Sequence, residues 1–253
     1  MWRRMKPVAM SLLASVLWLP TAFAVATGMA KGAVEEGRES FLSGGRKITV
    51  ESFIPEGSGQ YPAVLVLYGS GGSVAGKGEL ERFSKVLAEQ GTAVFLVHYF
   101  NRTGTLFVTG DDKIVRLSPV WTDTVRDGVD FALEHPRVRK GSIGLFGYSL
   151  GAYLAIAESS RNPRVGVVVE LSGGIFDRLR GKIARLPPLL ILHGRQDERV
   201  LVRNALELEQ TARRLGGRPQ VHIYENEGHR LSHAALADAT QRSLNFFARH
   251  LGR

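Results

Sequence analysis

From residue 60 onward the chain alternates between two hydrophobic rhythms. Short apolar runs (Ala63 to Leu67, Thr92 to Val97, Ile143 to Phe146, Val165 to Leu171, Leu189 to Leu192 and Val221 to Tyr224) read as strands, most of them buried on both faces. Between these runs the apolar positions recur with helical spacing. Leu80, Phe83 and Leu87 mark a helix over Glu79 to Gln90 that stops at Gly91. Trp121, Val125, Val129 and Ala132 mark one ended by Pro136. Leu201, Ala205, Leu208, Ala212 and Leu215 form a face closed by Gly216-Gly217, and Leu236, Leu244, Phe247 and Leu251 support a C-terminal helix. The stretch from Leu150 is apolar on nearly every side, as expected of a helix packed centrally against a sheet. This alternation predicts an α/β fold with a mostly parallel central sheet and helices on both faces. Ahead of it, Ser40 to Leu42 and Lys47 to Ile54 flank Gly44-Gly45 as an antiparallel N-terminal hairpin. Residues 25–37 are small and polar and are expected to be flexible, which leaves 38–253 as one catalytic-size domain with no large lid.

The first 24 residues follow a different pattern. Trp2-Arg3-Arg4-Met5-Lys6 is basic, Val8 to Leu19 is apolar, and Ala22-Phe23-Ala24 fits a small-x-small cleavage site. This is the layout of a signal peptide, too short in its apolar part to span a bilayer, with cleavage expected after Ala24 or Ala26. The mature chain is then expected in the periplasm or outside the cell, without stable membrane insertion. It contains no cysteine, so its stability must come from its core rather than from disulfides. Loss of Arg3, Arg4 and Lys6 lowers the formal charge of +9 to +6. The remaining basic residues are scattered and not interleaved with aromatics, which argues for a solvated basic surface and against nucleic-acid binding.

The candidate chemistry lies at the ends of predicted strands. Gly147-Tyr148-Ser149-Leu150-Gly151 is a GxSxG pentapeptide between a strand and a helix, where a serine is forced into a strained turn. Asp197 follows the run Leu189 to Leu192, and His229 follows Val221 to Tyr224. The order serine, acid, histidine is that of α/β-hydrolases, not of chymotrypsin-like or subtilisin-like enzymes. In this arrangement His229 takes the proton of Ser149 as it attacks a carbonyl, and Asp197 holds the imidazole. The backbone N–H groups of Leu150 and Ser70, with Gly71 as the alternative to Ser70, would meet the oxyanion. Asp197 could instead be a helix N-cap before Glu198-Arg199-Val200, with Asp177 as the competing acid. His229 and His233 are four residues apart, but Arg230 between them and the lack of an intervening Glu argue against a metal site. His98, His193 and His222 are expected to pack at the edge of the core.

Together, the turn Tyr68-Gly69-Ser70-Gly71-Gly72, the GxSxG pentapeptide, His193-Gly194-Arg195-Gln196-Asp197 with Val200, and Gly228-His229 give a chain that resembles the dienelactone hydrolase-like members of the α/β-hydrolase fold. The resemblance spans nearly all of the mature chain. Members proper carry cysteine where Ser149 stands, and many relatives carry histidine where Tyr68 stands. The resemblance therefore implies a general serine esterase more than a dienelactone hydrolase. It also makes Tyr68 and Arg102 candidates for contact with substrate, Arg102 as a cation for a substrate carboxylate.

The expected activity is hydrolysis of carboxylic esters of small or medium size, with lactones left open, through an acyl-enzyme. No cofactor or metal is implied, and the expected partner is a small-molecule ester. One alternative is a serine peptidase related to the catalytic domains of prolyl oligopeptidases. Another is a non-catalytic binding protein that keeps the fold.

Overall fold

The computed structural model describes residues 32–141 and 143–252. The expected signal peptide and residues 25–31 of the expected flexible segment lie outside the described residues. Eight strands form one sheet: β1 (Val34–Ser43), β2 (Arg46–Pro55), β3 (Ala63–Leu67), β4 (Ala93–Val97), β5 (Ile143–Tyr148), β6 (Val165–Leu171), β7 (Leu189–Gly194) and β8 (Gln220–Tyr224). Their spatial order is β1-β2-β4-β3-β5-β6-β7-β8. The six strands from β4 to β8 in that order run parallel, while β1 and β2 are antiparallel. Every residue of β3 and β4 is buried, which is why these strands carry unbroken apolar sequence.

Helices α1 (Lys77–Glu89), α2 (Asp111–Glu134), α3 (Leu150–Ser159), α4 (Arg203–Arg214) and α5 (His233–Leu251) connect and cover the strands. Helices α1 and α5 turn Leu80, Phe83, Phe246 and Phe247 into the core, and α2 contributes Trp121, Val125 and Val129. Of the face expected on α4, Ala205, Leu208 and Ala212 are buried, whereas Leu201 and Leu215 flank the helix and are exposed.

Two expectations need correction. Residues 34–37, expected to be flexible, are the first part of β1, with Val34 paired to Pro55 and Gly37 to Ser52. An edge strand needs only one hydrogen-bonded neighbour, so a run with Glu35, Glu36 and Arg38 can be strand while reading as polar coil, and those charges also blunt the open edge. Second, α2 begins about ten residues before the apolar stripe that announced it and contains Pro119. A proline inside a helix leaves the carbonyl four residues back without its donor. That carbonyl belongs to Val115, and Ser118 Oγ supplies the missing donor at 3.1 Å.

This substitution of side chain for backbone is testable. Ser118→Ala should destabilise the protein by about 1–2 kcal/mol, because it leaves a carbonyl unpaired. In a Pro119→Ala background the restored N–H serves Val115, so the same change should cost clearly less. Urea denaturation of the four variants of this cycle measures the difference, and equal costs in both backgrounds would refute the exchange.

Candidate active site

Three loops leave the carboxyl ends of parallel strands and meet over the middle of the sheet, beside the point where strand order reverses between β3 and β5. The first loop is a sharp turn. Ser149 adopts φ 54° and ψ −120°, and among the described residues only it and Ser172 are non-glycine residues with positive φ. Such a backbone costs on the order of 1–3 kcal/mol and persists only where its surroundings impose it. They do so by close approach. A Cβ on Gly147 would lie 2.4 Å from the Gly151 carbonyl oxygen, and one on Gly151 would lie 2.3 Å from that of Leu67. Both glycines are therefore required for the turn to pack against β3. The Ser149 N–H is anchored to the Leu171 carbonyl at 2.8 Å.

His229 Nε2 lies 3.0 Å from Ser149 Oγ, and its Nδ1 lies 2.8 Å from Asp197 Oδ2. Asp197 follows β7, and its other oxygen, Oδ1, accepts the N–H groups of Arg199 and Val200 at 2.9 and 2.8 Å. No helix follows Asp197 directly, since α4 begins at Arg203, so the helix cap weighed in the sequence is not formed; one carboxylate oxygen closes a turn and the other meets the imidazole. Asp177 lines the same cleft but is not the partner of His229: its exposed carboxylate pairs with Arg180 at 2.7 Å. The histidine loop is fixed by its own backbone, because the His229 carbonyl accepts the hydroxyls of Tyr148 at 3.2 Å and Ser172 at 3.4 Å. Gly194 lets that loop approach β7, since a Cβ there would lie 2.4 Å from the Glu227 and Gly228 carbonyl oxygens.

Ser70, Ser149, Leu150 and His229 all line one cleft of about 700 Å³, the ordinary size for a small-molecule site. Leu150 opens α3, where its N–H has no partner within the helix. Gly71 is not among the residues that line the cleft. The two substrate-contact candidates lie elsewhere. The Tyr68 ring is buried, stacks on Tyr99 at 4.5 Å, and its hydroxyl accepts the Phe100 N–H at 3.1 Å. Arg102 donates to the Ser43 carbonyl at the hairpin turn and does not line the cleft. Each satisfies backbone groups, a demand invisible in one sequence.

Behind Asp197 lies a group that the sequence reading missed. His193, expected only to pack, donates from Nε2 to the Val200 carbonyl at 2.7 Å and lies 3.3 Å from Asp197 Oδ2. Glu170 on β6 is fully buried and accepts the Gly173 N–H at 2.8 Å. It shares a sheet face with His193, because it pairs with Ile191, two residues before that histidine. Burial would raise the Asp197 carboxyl, but the bonds from His193, His229 and the Val200 N–H hold it well below the usual carboxylate range. Burial pushes Glu170 up to about 7 against the pull of His193 and the Gly173 N–H. The sequence did carry one signal: an ionisable residue inside the run Val165 to Leu171, whose residues are otherwise apolar or glycine.

A carboxyl raised from 4.5 to about 7 keeps its proton in the folded chain after the unfolded chain has lost it. Its contribution to stability therefore falls as pH rises between those values, by about 3 kcal/mol, and is constant above them. Glu170→Gln should gain stability relative to the parent across that window, as read by denaturant midpoints at pH 4 and pH 8. A constant difference would refute the assignment.

A model of the dienelactone hydrolase family matches residues 48–251. Among curated proteins, the chain is 27% identical over 168 residues to the peroxisomal succinyl-coenzyme A thioesterase of Mus musculus, covering 65% of this chain and 35% of that protein. The chain thus spans about a third of the length of the curated relatives it matches. Among solved structures, a dienelactone hydrolase-like promiscuous phosphotriesterase from metagenomic libraries superposes with TM-score 0.75 at 19% identity, over 87% of this chain and 100% of that one. The acylaminoacyl peptidase of Pyrococcus horikoshii gives TM-score 0.70 at 16% identity, over 86% of this chain and 42% of that one. At these identities the likeness is one of fold, and it is the α/β-hydrolase fold expected from the order of Ser149, Asp197 and His229 and from the family resemblance.

Proposed function

The chain belongs to the dienelactone hydrolase family, and we propose that it is an exported serine hydrolase that cleaves carboxylic esters of small or medium size. The observation that carries this reading is the unbroken chain of contacts from Ser149 Oγ through His229 to Asp197, at 3.0 and 2.8 Å, at the floor of a cleft.

Ser149 Oγ attacks the ester carbonyl carbon while His229 Nε2 takes its proton. Asp197 holds the Nδ1–H and stabilises the imidazolium. The carbonyl oxygen, now an anion, is met by the N–H groups of Leu150 and Ser70, each worth roughly 2.7–4 kcal/mol in serine hydrolases of this kind. As the C–O bond to the alcohol breaks, His229 returns the proton to the leaving oxygen, and an acyl-serine remains. Water then enters, gives its proton to His229, and releases the acid and free Ser149 by the same steps in reverse.

Two further points belong to the proposal. The relatives named as coenzyme A thioesterases favour a second substrate reading, thioesters, which the same acyl transfer would cleave with a thiol as the leaving group. Export rests on the pattern of residues 1–24, and N-terminal sequencing of protein recovered from outside the cytoplasm should begin at Val25 or Thr27.

Ser149→Ala should lower kcat on p-nitrophenyl esters by roughly a millionfold, as in subtilisin, and abolish labelling by a fluorophosphonate. Asp197→Asn should cost about four orders of magnitude, following the trypsin precedent. A panel of esters of graded chain length, with a thioester, a lactone and an arylamide, reads the preference. Full turnover by Ser149→Ala would overturn the proposal, and arylamide turnover equal to ester turnover would favour a peptidase.

A further inference from the structure

Apolar and cationic residues stand at the Ser149 cleft. Val74, Leu106, Phe107 and Val115 are between 55% and 69% exposed, and among the described residues only Leu42 equals or exceeds them as an exposed large apolar side chain. The chain gathers these four at one place. Val115 lines the cleft with its neighbours Val108 and Ile114. The Leu106 carbonyl lies against Gly72, and the Val108 N–H donates to the Ser70 carbonyl at 2.8 Å. Val74 follows in the same turn, its N–H on the Gly71 carbonyl. Arg178, Arg199 and Arg203 line the same cleft, and Arg178 reaches Ser118, whose hydroxyl bonds the Val115 carbonyl.

These arginines are not neutralised. Among the described residues none of the three forms an ion pair with a carboxylate, whereas Arg180 beside them is paired with Asp177 and Glu207. Arg178 lies 4.3 Å over the Phe176 ring and donates to Ser118 Oγ, and burial together with the charge of Arg161 pushes it below its ordinary value. The acids at this mouth are Asp177, already paired, and Asp111 at the start of α2.

A clustered apolar patch bordered by uncompensated cations fits a surface that is apolar beneath and anionic at its boundary. We propose that this mouth docks on an anionic lipid surface, with Leu106, Phe107, Val74 and Val115 entering the acyl boundary and Arg178, Arg199 and Arg203 facing the headgroups. The occupant is a lipid surface because charge complementarity adds to the apolar contact: the chain without residues 1–24 carries a formal charge of +6, and the unpaired cations line the same cleft as Val115. Docked this way, the opening of the cleft faces the lipid. Ester hydrolysis as proposed above would then draw on amphiphilic esters held there, a consequence that rests on that reading, whereas the docking does not.

The test is binding by the Ser149→Ala protein, which needs no turnover and so separates this inference from the proposed activity. Sedimentation with vesicles of phosphatidylcholine, and of phosphatidylcholine mixed with phosphatidylglycerol, should show binding to the mixed vesicles that weakens as salt is raised. Leu106→Ser with Phe107→Ser should lower the partition coefficient by about tenfold or more. Arg199→Gln with Arg203→Gln should do so on mixed vesicles by a similar factor, with little effect on the neutral ones. No binding to either vesicle would overturn the inference, as would binding that neither double variant changes. A concentration-dependent dimer dissolved by the Leu106 and Phe107 changes, without vesicle binding, would assign the patch to a second copy of the chain and overturn it equally.

Discussion

The backbone of Ser149 is the constraint on which the site depends. A side-chain-bearing residue is held at φ 54° because two glycines, two residues to either side, let the turn sink against β3 and the start of α3. The strain is local, but its support is global. It comes from a parallel sheet in which β5 is pinned between β3 and β6, and from the Leu171 carbonyl that holds the Ser149 N–H. The hydroxyl is thereby lifted toward the imidazole without any long side chain having to reach for it, which keeps the entropy of the arrangement low.

Asp197 shows how burial and hydrogen bonding compete. Its side chain is fully buried, and desolvation alone would favour the neutral acid. Two backbone N–H groups on one oxygen, with His229 and His193 on the other, reverse that preference. Glu170, one strand away and just as deeply placed, accepts a single N–H, and there desolvation prevails. Two carboxyls, one on β6 and one in the loop after β7, therefore carry opposite protonation tendencies, set by the number of donors aimed at each.

Much of this was readable from residues alone, for physical reasons. Strands buried on both faces leave an apolar record, so β3 and β6 carry the limits expected of them. The positions of Ser149, Asp197 and His229 could be read because each stands just past such a strand. What could not be read depends on partners distant in sequence. His193 and Glu170 share a sheet face only because β6 and β7 pair in one register. The first turns of α2 open on two aspartates and contain a proline, and the start of β1 is an edge written in charged residues. Arg102 and Tyr68 were assigned to substrate by position in the chain, whereas their polar atoms are taken up by Ser43 and Phe100.

The backbone clasp at Gly194 carries a further implication. The loop bearing His229 hangs from β8, the outermost strand on its side of the sheet, and is held to the end of β7 by the Gln196 N–H on the Glu227 carbonyl and by the Arg195–Glu225 pair. Outer strands and terminal helices are the first parts of a sheet protein to fray, long before the interior opens. The imidazole is therefore mounted beside an edge strand, and the Ser149 hydroxyl in the middle of the sheet. Gentle warming would part them while the core stayed intact, so that heat inactivation precedes melting and is undone when the chain is cooled.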